Sequence, residues 1–430
     1  MRPNQPTTVG PDHLDTLVPV LDLIRAGSVR TRPELIAHTG LGRAVVTQRV
    51  AQLISLGLVE EGPLAQSTGG RAPRELRFRA EAGRILVAEL GATSVNVAIT
   101  DLSGALLDRR DEEIDIASGP EACLSRVEAL FDELAADGVG DSHLWGIGLG
   151  VPGPVEFATG RPIAPPIMPG WDNYPVRDRF SERFQVPVWV DNEVNVMALG
   201  ELRAGLAVGE RDFVYVKIGT GIGAGVISGG KLHRGAQGCA GDIGHVAVVE
   251  DDRVICRCGN TGCLEALAGG GAIGRQGDLA AREGRSGYLA GVLERRGAVR
   301  ASDVAEAARH GDRVSFELLS SAGRLIGEVL AGFVNFFNPS LVLLGGGVTA
   351  SGDLLLATIR ESVYRRSLPL ATRDLRMSRS PLDDRAGMMG ASFMVTDELF
   401  ARDGLTEWIS TGSPARESPS AVAAVRRDSA

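Results

Sequence analysis

The sequence predicts a mixed α/β protein in which an N-terminal winged helix-turn-helix precedes a larger, glycine-rich module. Three observations predict it. Residues 13–80 run as three short helical patterns and then two alternating strands around a Gly-Gly-Arg loop. Two later segments, 85–101 and 213–228, each read as strand, glycine turn, strand. The 430 residues, 44% hydrophobic and 23% charged, are enough for two or three domains with proper cores.

Residues 1–12 carry no periodicity and are expected to be flexible. From residue 13, Leu14, Leu17, Val18, Leu21 and Ile24 recur at helical spacing until Gly27. Thr31-Arg32-Pro33-Glu34 is a capping box: the Thr31 hydroxyl can accept a first-turn N–H, and Glu34 can reach back. Gly40-Leu41-Gly42 makes a turn, and Arg43–Leu56 reads as a third helix with Val46, Val50 and Leu53 on one face. Gly57 suits the position that closes a helix. Strands over 58–61 and 74–79 then flank the loop 66–73. The whole chain has a net charge of −9, which argues against nucleic-acid binding by its surface at large. Residues 21–80 are the exception: nine arginines against five acids leave them at +4. The third helix would enter a major groove and offer Arg43 to guanine and Gln48 to adenine. Thr47 would touch base or phosphate, and Arg71 at the wing tip would enter a minor groove. A helical oligomerisation module with solvated arginines is the alternative. The ordered set of box, glycine turn, apolar helix and wing argues against it.

In the larger module, the glycine turns of 85–101 and 213–228 could expose backbone N–H groups to phosphate, or be ordinary hairpins. No Walker motif exists, since Lys231 is followed by Leu232. Residues 186–195 read as a strand ending in Asp191-Asn192-Glu193, with a helix over 196–203. Polar residues at such a strand end suit a ligand site, or simply a helix cap. His245, Cys256, Cys258 and Cys263 form a tetrahedral donor set for structural Zn²⁺, the alternative being buried thiols beside a core histidine. Residues 314–338 make a long apolar helix, for core or subunit contacts, and residues 403–430 read as a disordered tail rich in Ser, Pro, Ala and Arg. No apolar run approaches a membrane span and no signal peptide is visible, so a cytoplasmic protein is expected.

The motifs GIGLGVPGPV (146–155), VDNEVNVMALGE (190–201), GTGIGAGVISGG (219–230), AGDIGH (240–245), CRCGNTGCLE (256–265) and NPSLVLLGGGV (338–348) resemble the ROK family of repressors and sugar kinases. The resemblance covers about residues 13–400. It implies a two-lobed, actin-like (RNase H-like) fold, with lobe 1 over about 81–195 plus 386–402 and lobe 2 over about 196–385. It also implies a sugar site at Asn192, Glu193, Asp242, His245 and Glu265. A winged helix marks the family's regulator branch, whose members are dimers or tetramers. The chain departs from the kinase pattern. Glu89-Leu-Gly91-Ala92-Thr93-Ser94 stands where kinases have Asp-x-Gly-Gly-Thr-Lys, and Glu193 stands where the general-base Asp belongs. The methyl of Ala92 is expected to crowd a turn that needs positive φ. A degenerate nucleotide site is therefore expected at Glu89, Gly91, Ala92, Thr93, Gly219, Thr220, Gly221, Gly223 and Gly346. No catalytic residue is expected. The reading is a sugar-responsive DNA-binding regulator, not an enzyme. It binds a pseudo-palindromic double-stranded DNA operator and a small sugar or sugar-phosphate effector. The rivals are an ATP-dependent sugar kinase carrying a DNA module, and a constitutive DNA-binding protein with no effector.

Overall fold

Thr31 begins the second helix as its sequence demands: its hydroxyl accepts the N–H of Glu34 at 3.4 Å. The Glu34 carboxylate accepts from Arg30 N–H at 2.7 Å, one residue earlier than the box pattern expects. The computed structural model describes residues 11–65, 72–138, 143–349 and 353–414. Within it, α1 (Pro11–Arg25), α2 (Arg32–Thr39) and α3 (Arg43–Ser55) lead into the antiparallel pair β1 (Val59–Leu64) and β2 (Arg74–Phe78). Gly57, at φ +73°, closes α3 by turning the N–H of Leu58 onto Leu53 O at 3.0 Å. Leu17, Val20, Leu21, Val46, Val50 and Leu53 are fully buried between the helices. Helix α1 already begins at Pro11, inside the stretch expected to be flexible; residues 1–10, and Arg71 on the wing loop, lie outside the described residues.

The two strand–turn–strand segments open two sheets of the same topology. In the first lobe, β3 (Gly83–Leu90), β4 (Ser94–Asp101) and β5 (Leu106–Glu113) form an antiparallel meander. Helix α4 (Pro120–Gly138) leads to β6 (His143–Val151), and the short pair β7 (Val155–Glu156) and β8 (Arg161–Pro162) precedes α5 (Val176–Phe184) and β9 (Val188–Asn192). The order is β5-β4-β3-β6-β9, with β6 parallel to both neighbours. Helix α6 (Glu193–Ala204) crosses to the second lobe. There β10 (Phe213–Ile218), β11 (Ile222–Ser228) and β12 (Lys231–Leu232) repeat the meander. A helical insertion follows: α7 (Leu264–Ala268), α8 (Gly270–Arg282), α9 (Gly287–Arg296), α10 (Ala301–Arg309) and α11 (Arg313–Phe337). Then β13 (Leu341–Gly345), α12 (Asp353–Arg366), α13 (Pro369–Thr372) and β14 (Arg376–Arg379) complete the order β12-β11-β10-β13-β14. This duplicated pattern is the two-lobed, actin-like architecture expected. One face of α11, including Leu319, Ile326, Leu330 and Val334, is buried in the lobe-2 core.

The chain returns to the first lobe through α14 (Arg385–Phe400) and α15 (Arg402–Trp408). The disordered tail expected from residue 403 therefore starts too early. Leu405 and Trp408 are buried, because they cap an aromatic cluster that sequence periodicity does not reveal. Trp145, Phe400 and Trp408 lie with ring centroids 5.3–6.3 Å apart, and Phe78 of the wing meets Phe400 edge-on at 6.0 Å. One hydrophobic core thus runs from α1 and α3 through Val87, Trp145 and Val196 to Met394 and Phe400. Residues 415–430 lie outside the described residues. Among the described residues, no helix is long and apolar enough to cross a membrane.

Candidate functional site

A cleft of about 1060 Å³ opens between the two sheets. Its inner end gathers all five residues expected to hold a sugar: Asn192, Glu193, Asp242, His245 and Glu265. Asn192 ends β9 and caps α6. Its Oδ1 accepts from Val194 N–H at 2.8 Å and Asn195 N–H at 3.3 Å, while its amide nitrogen donates to Gly153 O at 3.0 Å and Glu193 Oε2 at 3.1 Å. The side chain that caps α6 therefore also lines the cleft. Glu265, in the first turn of α7, accepts from Ile222 N–H at 3.0 Å and so ties its helix to the Gly219–Ile222 turn. A Cβ on Gly221 would lie 2.2 Å from that carboxylate, which explains glycine there without any nucleotide. Burial holds Asp242 above the usual carboxylate range, with His245 opposing and Glu265 adding to the shift.

Two residues beside this site were not legible from spacing. Lys217 on β10 faces glycines across both neighbouring strands, Gly223 and Gly345, and reaches from the second lobe to the first. Its Nζ lies 3.4 Å from Glu193 Oε1 and 3.9 Å from Glu89 Oε1, with only 17% of the side chain exposed. Burial raises both carboxyls, Glu89 to about 7, and the ammonium opposes the shift in each. Arg234 crosses between the lobes in the same direction. It donates to Asp191 Oδ2 at 2.7 Å and lies 3.7 Å over the Phe157 ring. The rarity of lysine is the one sequence signal for the first of these: Lys217 and Lys231 are the only two in the chain.

The donor atoms of His245, Cys256, Cys258 and Cys263 lie within 4.8 Å of one another. Cys258 and Cys263 sulfurs are 3.8 Å apart, and Cys256 Sγ is 3.6 Å from His245 Nδ1. A disulfide needs about 2 Å. A tetrahedral ion with metal–sulfur bonds of about 2.3 Å needs donor separations of about 3.8 Å, so the set fits a metal. Because Nδ1 faces the thiols, Nε2 is the imidazole nitrogen left toward the cleft.

On the winged helix, Arg43, Thr47 and Gln48 are exposed on α3, on the side away from buried Val46 and Val50. The Thr47 hydroxyl donates to Arg43 O at 2.8 Å within the helix. Arg49, beside them in sequence, is buried and donates to the Thr16 hydroxyl at 2.7 Å, which ties α3 to α1.

The model of the ROK family matches residues 86–398. The chain belongs to the ROK family. It is 30% identical to a xylose repressor from Caldicellulosiruptor bescii over 89% of this chain and 95% of that protein. It is also 30% identical to a glucokinase from Halalkalibacterium halodurans, over 72% of this chain and 94% of that one. Among solved structures, a ROK family transcriptional regulator, a homolog of the Escherichia coli MLC protein, superposes with a TM-score of 0.78 at 25% identity, covering 93% of this chain and 99% of its own. A ROK family glucokinase from Streptomyces griseus, solved with glucose and AMPPNP, gives 0.64 at 29% identity over 73% of this chain and 99% of its own.

Set against the ROK kinase pattern, the outer cleft is lined by Gly91, Ala92, Thr93, Gly219, Thr220, Gly221 and Gly223 as expected. Two expected nucleotide residues are not on its wall. Glu89 is buried beneath the floor, its Oε2 against Gly387 and without a hydrogen-bond partner among the described residues. Gly346, at φ +92°, packs where a Cβ would meet Ile218 O at 2.6 Å, so its role is a backbone turn. The strain expected at Ala92 is absent: neither Gly91 nor Ala92 has positive φ, because the Ser94 O to Gly91 N–H turn closes with ordinary dihedrals.

Proposed function

We propose that this chain is a sugar-responsive transcriptional repressor whose winged helix reads a DNA operator and whose cleft binds an unphosphorylated sugar. The observation that carries this reading is the single hydrophobic core shared by the winged helix and the lobe that floors the cleft. A reader built into that core feels any rearrangement of the lobe; a tethered one would not. Exposed Arg43 and Gln48 have the chemistry to contact guanine and adenine edges, and Arg71 would extend the contact from the wing. Two such helices in a homodimer or tetramer would meet a pseudo-palindromic site, as a cytoplasmic regulator requires. At the inner cleft, Glu193, Asp242, Glu265 and Asn192 can accept and donate to vicinal hydroxyls. Carboxylates outnumber the Lys217 ammonium there, which favours an uncharged sugar over the sugar phosphate that the sequence alone left open.

The four-ligand set supports structural zinc. Bound, it would occupy four protein donors and so supply no activated water, only rigidity. It would fix His245 with the second ring nitrogen free to donate to a sugar hydroxyl.

Kinase activity is the second reading, favoured by the equal identity to the glucokinase and by the open outer cleft. Against it, Glu193 is one methylene longer than the aspartate it replaces and pairs with Lys217. A displacement of about 1 Å at a reacting group costs roughly a hundredfold in rate. A constitutive DNA-binding protein is the third reading. The test is selection of duplexes from a random library by the full chain, with sugar binding by calorimetry and an ATP-coupled assay on hexoses, pentoses and N-acetyl sugars. We expect an enriched palindrome, binding of at least one sugar, and turnover far below the ~10 s⁻¹ usual for enzymes. Turnover near that value with no enriched duplex overturns the reading in favour of a kinase; an enriched duplex with no bound sugar overturns it in favour of the constitutive protein.

A further inference from the structure

Helix α6 starts in the cleft, α14 starts beneath its floor, and the far end of α14 meets the winged helix. The N-terminus of α6 is Asn192-Glu193, in the sugar site itself. The first turns of α14 bring Gly387 beneath Glu89, where a Cβ would lie 2.3 Å from its Oε2. Between these points the helices touch backbone to backbone: a Cβ on Gly200 would lie 2.1 Å from Ala386 O, and one on Gly390 would lie 1.6 Å from Val196 O. Packing this close lets neither helix shift without the other. Twelve and sixteen residues make rods of about 18 Å and 24 Å.

At their far ends stands one carboxylate with two partners. Asp397 of α14 accepts a hydrogen bond from Arg203 in the last turn of α6, and from Arg25 Nη2 at 3.3 Å. Arg25 is the last residue of α1, the winged helix's first helix. Its guanidinium also donates to the Thr396 hydroxyl at 3.3 Å, lies 4.6 Å over the Phe400 ring, and pairs with Asp22 at 3.5 Å. Burial lowers the pKa of Arg25, with Asp397 and Asp22 opposing. Three elements thus converge on Asp397: α6 begins at the sugar residues and α14 begins beneath the cleft floor at Glu89.

We infer that the α6–α14 pair is the element that reports sugar binding to the winged helix, and that Asp397, held by Arg203 and Arg25 together, is the joint through which it does so. The inference rests on the proposed repressor function. A sugar that binds Glu193 acts on the head of α6, and the rigid pair carries the displacement to its other end. There the Arg203–Asp397–Arg25 bridge converts it into a movement of α1, against which α3 is fixed by Arg49 and Thr16. None of the three joint residues lines the cleft or lies on the exposed face of α3, so coupling is separable from binding.

The test uses the full-length chain and its Asp397→Asn and Arg203→Met variants, with a duplex selected by the wild-type protein and D-xylose and D-glucose as probes. Asp397 and Arg203 side chains are 31% and 39% exposed; Asp397→Asn keeps the side chain's shape, and Arg203→Met keeps an unbranched apolar stem without the guanidinium. In the wild type, the sugar that binds changes operator affinity by about tenfold or more. In the variants that factor falls below about twofold, while sugar affinity without DNA and operator affinity without sugar each stay within about threefold of wild type. By reciprocity, duplex no longer alters sugar affinity in the variants. Variants that keep the wild-type factor overturn the joint while leaving the repressor reading intact. A wild-type chain that binds duplex but whose affinity neither sugar alters overturns both.

Discussion

The ammonium of Lys217 lies 3.4 Å from the Glu193 carboxylate, so a strand of one lobe holds the residue that begins the interlobe helix of the other. Burial raises the pKa of the Glu193 carboxyl, and the Lys217 ammonium opposes that shift and favours the charged hydrogen-bond acceptor. Lys217→Met removes the cation and keeps an unbranched side chain one atom shorter. Sugar affinity should fall about tenfold, or roughly 1.4 kcal/mol, by calorimetry with whichever of D-xylose and D-glucose binds. Unchanged affinity would mean that the ammonium serves the fold alone.

Glu89 sets a pH dependence of stability. Its folded pKa stands at about 7 against an ordinary 4.5. An acid raised in this way binds more protons folded than unfolded. Its stabilising contribution is complete below the ordinary value and is lost as pH rises through that window. The full loss is about 3 kcal/mol. Glu89→Gln should flatten the melting temperature between pH 5 and pH 8 and raise it most at the alkaline end. A variant whose melting profile keeps the wild-type slope would assign the slope to other groups.

Arg43→Ala should weaken specific operator binding by about 1–3 kcal/mol and leave non-specific binding at low salt nearly unchanged. Thr47→Ala should cost about 0.5 kcal/mol or less, because that hydroxyl already donates to its own helix at 2.8 Å. Anisotropy titrations against selected and scrambled duplexes separate the two. Equal losses on both duplexes would make Arg43 a phosphate contact instead.

Cys258→Ser should strip the metal. Structural zinc is worth about 10–16 kcal/mol over four ligands, so one ligand accounts for roughly 3 kcal/mol. Elemental analysis should find zinc near one equivalent in the wild type and far less in the variant, and the variant should also bind sugar more weakly, through His245. Wild-type protein purified without zinc, and melting at the same temperature with a chelator, would refute the assignment.

What the sequence made legible was local. The Thr31 cap, the Gly57 helix end, the paired strand–turn–strand segments and the His245–Cys263 cluster each depend on residues close in the chain, and each stands as its pattern predicts. The five residues expected to hold a sugar were legible only through family motifs, since they converge on the cleft from β9, α6, the turn ending at His245 and α7. What escaped was long-range. Residues 402–408 carry the composition of a loop, yet Leu405 and Trp408 are buried because Trp145, far away in sequence, offers them a surface. Glu89 looked like a cleft residue because its motif faces phosphate in kinases, but the extra methylene lies beneath the floor against Gly387. Lys217 and Asp397 belong to no local pattern; their partners are other elements' ends.

A repressor of the proposed kind requires that a sugar in the cleft alters how the winged helix holds DNA. The most direct measurement is one anisotropy titration of the wild-type chain against its selected duplex, repeated with the sugar that binds the cleft at saturation. Operator affinity should fall by about tenfold or more. Identical curves, from a chain that binds both duplex and sugar, would contradict it.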